Sequence, residues 1–482
     1  MELVMGLVML FVTNVLSQPA FFTGLIVFFG LLAVKKPLHK AIAGFIKTAV
    51  GFYILLVGSN GLTDTFRPII DAFGAKFNMN AAVVDTYFLT GQMYGANGLY
   101  SINGAIYWTL MAYAVAMVWN FILVYFNKYT KCRTLYVTGH TISTYTGMWA
   151  WFIFLICPAA QNIGFTLLFG ILGGTWASVA SNWTVEATRN LTGGTANFAV
   201  GHQEMLGVWF TDKVAHLFGN PEDSVENIQF PEALSIFKDN VVSTAILMTV
   251  FCGAIMMFIG SEAMAVADPA GFSGGLIFPV YILKTCLHFS VYMYILLAGV
   301  RMFVSELMTA FSELSSKVII GSMPAVDCAV TYNYAHPNVT MIGFVFGFLG
   351  QLIAMVGLLV FKSPLFLIPG FVPLFFDNAT IAVFANKRGG KKAAIICPLL
   401  NGMFQVLISL AMILFVQSVS GGFQLTAWPA FFDNNTILPV IMFVINAIGP
   451  VTGTVVMTVV LLGLNLVYYN KHKDHYYDHV EG

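Results

Sequence analysis

The sequence predicts an all-α polytopic membrane protein of about eleven transmembrane helices, organised as inverted repeats with two re-entrant hairpins. Three observations carry that expectation. Only 9% of the 482 residues are charged, against 58% hydrophobic and 15% aromatic, and the mean hydropathy is +0.81. A water-soluble domain carries about 25% charged residues, so most of this surface must face lipid. A motif also recurs half a chain apart. YILLVG at Tyr53–Gly58 leads to AVVDTY, which holds Asp85, and YILLAG at Tyr294–Gly299 leads to AVDCAVTY, which holds Asp327. Lastly, lysine and arginine fall into a few clusters between long apolar runs.

A helix needs roughly 20 apolar residues to cross the hydrocarbon core. Candidate spans begin near residues 19, 42, 104, 136, 161, 241, 276, 338, 365, 394 and 438. Ahead of them, MELVMGLVMLFVTNVLSQ lacks the basic start and small-residue cleavage site of a signal peptide and reads as a short amphipathic helix. Basic residues set the direction of threading. The clusters are Lys35, Lys36 and Lys40; Lys128, Lys131 and Arg133; Lys387, Arg388, Lys391 and Lys392; and Lys471 and Lys473. Placing all four in the cytoplasm puts the N-terminus outside and the C-terminus inside. Eleven crossings satisfy this, with Lys362 the main misfit.

On that count the two YILL spans run in opposite directions, the ground plan of many alternating-access transporters. Residues 1–240 form the first half, ending in a charged connection at 211–240, and residues 241–482 form the second. Residues 60–100 and 300–337 are too polar to lie in lipid yet join apolar spans. Irregular backbone at membrane depth is tolerated where protein or a cavity surrounds it, so both stretches are expected to be re-entrant hairpins. Ordinary external loops are the alternative.

Candidate site residues follow from this frame. Gly58, Ser59, Asn60 and Gly61 end the first repeat span, offering amides to a polar ligand or simply a helix C-cap. Asp85, Thr86 and Tyr87 bring an acceptor, a hydroxyl and an aromatic face together, a set suited to a hydroxyl-rich ligand. Asp327 supplies a second carboxylate. Ionisable residues inside a membrane are functional candidates by default, although an aspartate that caps a half-helix fits the same spacing. Two histidines follow glycine in apolar surroundings, His140 in VTGHTIST and His202 in VGHQEM. Gln203 and Glu204 add polar reach beside His202. Asp377 and Asn378 sit in the second half, where Pro369-Gly370 and Gly449-Pro450 interrupt spans.

Other functions are disfavoured. The zero net charge lacks the footprint of a nucleic-acid binder. Cys132, Cys157, Cys252, Cys286, Cys328 and Cys397 are scattered without a metal or disulfide spacing. Walker loops, dinucleotide fingerprints and nucleophile–base motifs are absent from the sequence. No cofactor is expected, and the chain is not expected to be an enzyme by itself.

Together these residues resemble the membrane subunit (enzyme IIC) of the ascorbate-specific bacterial phosphotransferase system. The resemblance runs over essentially the whole chain. It is carried by VGSNGLTDTFRP, TGH at 138–140, GHQ at 201–203, KDNVVSTAI at 238–246, GVRMFVSEL and PGFVPLFFDNATIAVFAN. It implies a homodimer in the bacterial inner membrane, each protomer having a mobile substrate-binding core and a static dimerisation scaffold, with elevator-type transport. It further implies L-ascorbate or a related sugar acid as substrate, and a separate IIB subunit, charged by IIA, as phosphoryl donor. Carried over by motif, the substrate contacts would be Gly58, Ser59, Asp85, Thr86, Tyr87, His140, His202, Gln203 and Asp327. His202 and Asp327 would polarise the accepting hydroxyl.

The sequence departs from the family in two places. Ser143-Thr144-Tyr145-Thr146 stands where a glutamine pair is common, which puts Thr144 at the ligand in place of a long amide, and Glu204 replaces a further glutamine. Both departures bear on which sugar acid is carried. From the residues alone, an ion-coupled secondary transporter for a small polar anion fits as well.

Overall fold

The structure, a computed structural model, describes residue 15 and residues 18–77, 79–94, 105–227, 240–272, 275–319 and 322–473. Most of the expected N-terminal amphipathic helix and part of the 211–240 connection lie outside the described residues.

Long apolar runs become long helices. In chain order they are α1 (Pro19–Ala33), α2 (Leu38–Phe77), α3 (Thr86–Tyr94), α4 (Ala105–Tyr125), α5 (Met148–Ile156) and α6 (Ile163–Thr192). Then follow α7 (Met205–Val214), α8 (Asn240–Ile259), α9 (Ser261–Ala267), α10 (Phe278–Val318), α11 (Pro337–Val360), α12 (Phe371–Val419), α13 (Phe432–Ile448) and α14 (Pro450–His472). Their ends have local causes. Asn162 caps α6 by accepting from the Phe165 amide at 3.0 Å, and Gly193 closes it in the left-handed region with φ +61°. Gly390, at φ +66°, splits α12 into two arms. Gly260, at φ +87°, turns α8 into α9 through 99°.

Among the described residues, six helices are long and apolar enough to cross a membrane, or seven if the bent α8–α9 pair is one span. Eleven were expected. The difference arises where an apolar run does not become one long helix. The runs near 136 and 365 open as strands, those near 365 and 394 merge in the kinked α12, and the run near 438 gives a 17-residue helix.

The polar stretch after Gly58 also differs from expectation. The helix does not end at Gly58–Gly61; α2 continues to Phe77. Asn60, Asp64, Arg67 and Asp71 are exposed on one stripe, while Leu62, Phe66, Ile69 and Phe73 are buried on the other. That spacing is the helical period. Likewise α10 runs on to Val318. Among the described residues, the non-helical part of each polar stretch centres on a strand and the aspartate that follows it.

Among the described residues, six short strands form two parallel sheets: β1 (Asn80–Val84), β2 (Thr134–Tyr136), β3 (Ala199–Val200), β4 (Met323–Val326), β5 (Leu365–Pro369) and β6 (Ala427–Trp428). One sheet has the order β5-β1-β6 and the other β2-β4-β3. In the first, Asn80 pairs with Leu365 and Val84 with both Pro369 and Trp428. In the second, Thr134 pairs with Met323 and Val200 with Val326. Each sheet takes its central strand from one half of the chain and its edges from the other. Purely parallel strands are buried on both faces and need no polar alternation, which suits AAVV and LFLI here.

The two repeat motifs meet. A Cβ on Gly58 would strike the Leu296 backbone and side chain on α10, and a Cβ on Gly299 would strike the α2 backbone at Leu55 and Gly51. Small residues let two helices approach this closely.

Candidate functional site

Strands in a parallel sheet deliver their carboxyl ends to one side, where ligands commonly bind. This explains how distant sequence motifs converge. After β2 come Thr138, Gly139 and His140; after β3 come Gly201, His202, Gln203 and Glu204; after β4 come Asp327 and Cys328. Gly201 is required here because a Cβ would collide with the Ala325 backbone, and its amide donates to Val326 O at 2.7 Å. The Thr138 hydroxyl donates to the Gly201 carbonyl, tying the β2 end to the β3 end.

His202, Gln203 and Glu204 are 5%, 2% and 0% exposed. His202 Nδ1 and Glu204 Oε2 lie 2.5 Å apart. Gln203 is used at both ends: its Nε2 donates to Thr144 Oγ1 at 2.8 Å, and its Oε1 accepts from Asn434 Nδ2 at 2.8 Å. Trp149 Nε1 in turn donates to Asn434 Oδ1 at 2.8 Å. Thr144 itself sits in a π-helical turn, Ser143–Gly147, that leads into α5. The Thr144 departure and Gln203 are therefore one hydrogen-bonded unit.

Asp327 accepts from the Ala329 amide at 2.9 Å, capping the 3-10 turn Cys328–Tyr334, and remains partly exposed. Asp85 is more fully engaged. Its Oδ1 accepts from the Tyr87 and Phe88 amides at 2.8 and 2.9 Å, and its Oδ2 accepts from the Val372 amide at 3.1 Å. One carboxylate thus caps the N-termini of both α3 and α12, the capping alternative open from its spacing. Thr86 Oγ1 donates to Pro429 O at 2.6 Å. Tyr87 is buried and lies within electrostatic reach of Asp327.

The carboxyl ends of the two sheets face one another. The Phe431 ring, just after β6, meets His202 edge-on with centroids 5.1 Å apart. Of the expected residues, Asp85, Thr86, Tyr87, Thr144, His202, Gln203 and Asp327 belong to these two strand-end clusters. Gly58 sits instead at the α2–α10 crossing. The backbones of Ser59 and His140 are helical, in α2 and in the turn Gly139–Ile142, while their side chains lie outside the described residues.

Sequence reasoning passed over Asp433 and Asn434. Asp433 accepts from the Met205 and Leu206 amides at 3.1 and 2.9 Å, capping α7, and its own amide donates to Gln203 O at 3.0 Å. Asp377 and Asn378 were named from the sequence but not their partners: Asp377 Oδ2 accepts from Asn401 at 2.9 Å and Gln405 at 2.7 Å. A signal was present: PLFFDNAT at 373–380 recurs as PAFFDNNT at 429–436.

His202, Glu204 and Cys328 bring three ligand atoms within 4.8 Å of one another. Zinc–nitrogen and zinc–oxygen bonds of about 2.0–2.2 Å at tetrahedral angles hold such ligands roughly 3.3 Å apart. At 2.5 Å, His202 and Glu204 are bonded to each other rather than splayed around an ion. His202 and Glu204 form a hydrogen-bonded pair within a shell of further hydrogen bonds.

Comparison with known proteins gives the family of this chain. The family profile of PTS system sugar-specific permease components, EIIC-GAT, matches residues 14–434. The chain is also 30% identical over 455 residues to the "Ascorbate-specific PTS system EIIC component" of Mycoplasma pneumoniae, covering 86% of this chain and 68% of that protein. The chain belongs to the EIIC-GAT family of sugar-specific phosphotransferase permeases. It is a multi-pass membrane protein and a transport subunit, with a sugar-class substrate and partner phosphotransferase components.

Proposed function

We propose that this chain takes up L-ascorbate or a related sugar acid across the cytoplasmic membrane, coupled to its phosphorylation by a separate IIB subunit that IIA recharges. The observation that carries this reading is the buried His202–Glu204 pair, placed where the ends of the two sheets meet. A hydroxyl-rich monoanion suits an imidazolium donor, the Asp327 acceptor and the Tyr87 ring. The printed name of the Mycoplasma pneumoniae relative supports the substrate class.

The crossed halves support inverted repeats: β1 and β4 are the central strands of sheets whose edge strands come from the opposite half. In this reading each half contributes to a mobile core and a dimerisation scaffold, and the protomer makes eleven crossings with an external N-terminus. The strand–aspartate turns at Asp85 and Asp327 reach membrane depth, and the core moves as an elevator within a homodimer. At the inner mouth the substrate hydroxyl attacks phosphorus, the S–P bond of phosphorylated IIB breaks, and the hydroxyl proton passes to Asp327. His202 holds the anionic ring oxygen while this happens. Gly58, Ser59, Thr86, His140, Thr144 and Gln203 complete the expected substrate shell, with Gln203 acting through its bonds to Thr144 and Asn434.

Equilibrium binding of radiolabelled L-ascorbate to the purified chain tests the site. His202→Gln is expected to weaken binding at least tenfold, consistent with loss of one charge-assisted hydrogen bond. Unchanged affinity in that variant would remove His202 from the site.

A further inference from the structure

Glu204 is fully buried, and its Oε1 has no hydrogen-bond partner among the described residues. Its Oε2 is 2.5 Å from His202 Nδ1. An isolated buried carboxylate is costly, and breaking such a pair is worse than never having it. Glu204 therefore depends on His202, and His202 is bound to it in return.

The surroundings give that pair a consequence. Asp327, in the turn after β4, and Asp377, on α12, act electrostatically on His202. So does Asp433, on α13. The Cys328 thiol sits against the pair. Each of these neighbours is acidic or neutral. With the imidazole neutral, an incoming anion would meet no positive group among these neighbours.

We propose that Glu204 is a positioning residue: it accepts the Nδ1 proton of a charged His202 and so fixes the ring with Nε2–H as the donor to an anionic substrate. Carboxylate–histidine pairs set ring orientation and tautomer in the same way at metal sites. The inference rests on the reading of His202 as a substrate contact. It also gives the Glu204 departure from the family's glutamine a function, since a neutral amide cannot hold the ring charged.

The test is Glu204→Gln, with equilibrium binding of radiolabelled L-ascorbate to the purified full-length chain at pH 6 and pH 8. The wild type is expected to bind almost equally at both. In the variant the ring has lost the carboxylate that favours its charged form, so affinity is expected to fall as pH rises, roughly tenfold or more from pH 6 to pH 8. Glu204→Asp, which keeps the charge, is expected to restore the flat profile. If Glu204 acts only as a repelling charge, Glu204→Gln will bind more tightly at both values, and the proposal fails. Unchanged affinity at both values also overturns it.

Should the variant not fold, ¹⁵N-histidine NMR of the wild type decides. Among nine histidines, one ring with both nitrogens protonated at pH 8 is expected, and its absence refutes the proposal. If that signal is present but His202→Gln leaves ascorbate affinity unchanged, the charged pair stands and the substrate-site reading falls.

Discussion

Replacing Asp85 separates two roles that its position allows, a helix cap or a ligand contact. In Asp85→Asn the remaining carbonyl oxygen can still accept from Tyr87 and Phe88. The new amide, however, must point its own hydrogens at the Val372 amide, which now donates to Oδ2 at 3.1 Å. One charge-assisted bond, worth about 1.5–3 kcal/mol, is lost, and a buried donor is left unsatisfied at about 1–3 kcal/mol. Asp85 is 2% exposed, so solvent offers little compensation. The packing also leaves no slack, because Gly370 lies directly against the Asp85 side chain. The expected cost is about 3–5 kcal/mol, read as a fall in the apparent unfolding temperature of the detergent-solubilised protein. Asp85→Ala, which orphans all three amides, should be worse. A variant with wild-type thermal stability but weakened ascorbate binding would refute this reasoning and make Asp85 a ligand contact.

Other expectations follow from the same geometry. Gly299→Val forces a side chain into the α2 backbone at Leu55 and Gly51; the variant is expected to lose most folded protein in a fluorescence size-exclusion assay, whereas Gly463→Ala, with open space around it, should not. Thr144→Val removes the acceptor for Gln203 Nε2; leaving that buried donor unsatisfied costs about 1–3 kcal/mol, and uptake assays across a panel of sugar acids should show altered selectivity. A protonophore should leave uptake intact while phosphoenolpyruvate persists, since phosphorylation rather than an ion gradient drives it; collapse of uptake would favour the ion-coupled alternative.

How legible this was in the sequence depended on the length scale of each signal. The apolar runs of α6 and α11 announced themselves because lipid exposure demands a long unbroken stretch, whereas α14 lay inside the single run expected from about 438, which breaks at Gly449-Pro450 into two helices. Strands β3 and β6 are two residues each, too short to show any period, and they exist only because a neighbouring strand from a distant segment completes their hydrogen bonds. The polar stripe Asn60, Asp64, Arg67 and Asp71 looked like a break in the membrane because hydropathy was weighed without period; counted at helical spacing it is the exposed face of α2. At the site, His202, Gln203 and Asp327 stood out as polar residues in apolar surroundings. Asn434 and Asp433 did not, although PAFFDNNT repeats PLFFDNAT, because their importance comes from bonds to Gln203 and to α7 across more than two hundred residues of chain. The dual capping by Asp85 was half visible: its place before a helix suggested one cap, but the Val372 amide comes from α12 and only the β1–β5 pairing brings it near.

The central claim is best tested by uptake of radiolabelled L-ascorbate into cells that lack their own carrier and express this chain, with and without matching IIA and IIB. Intracellular ascorbate phosphate that appears only when both partners are present is the predicted result. Unmodified ascorbate accumulating without them would contradict it.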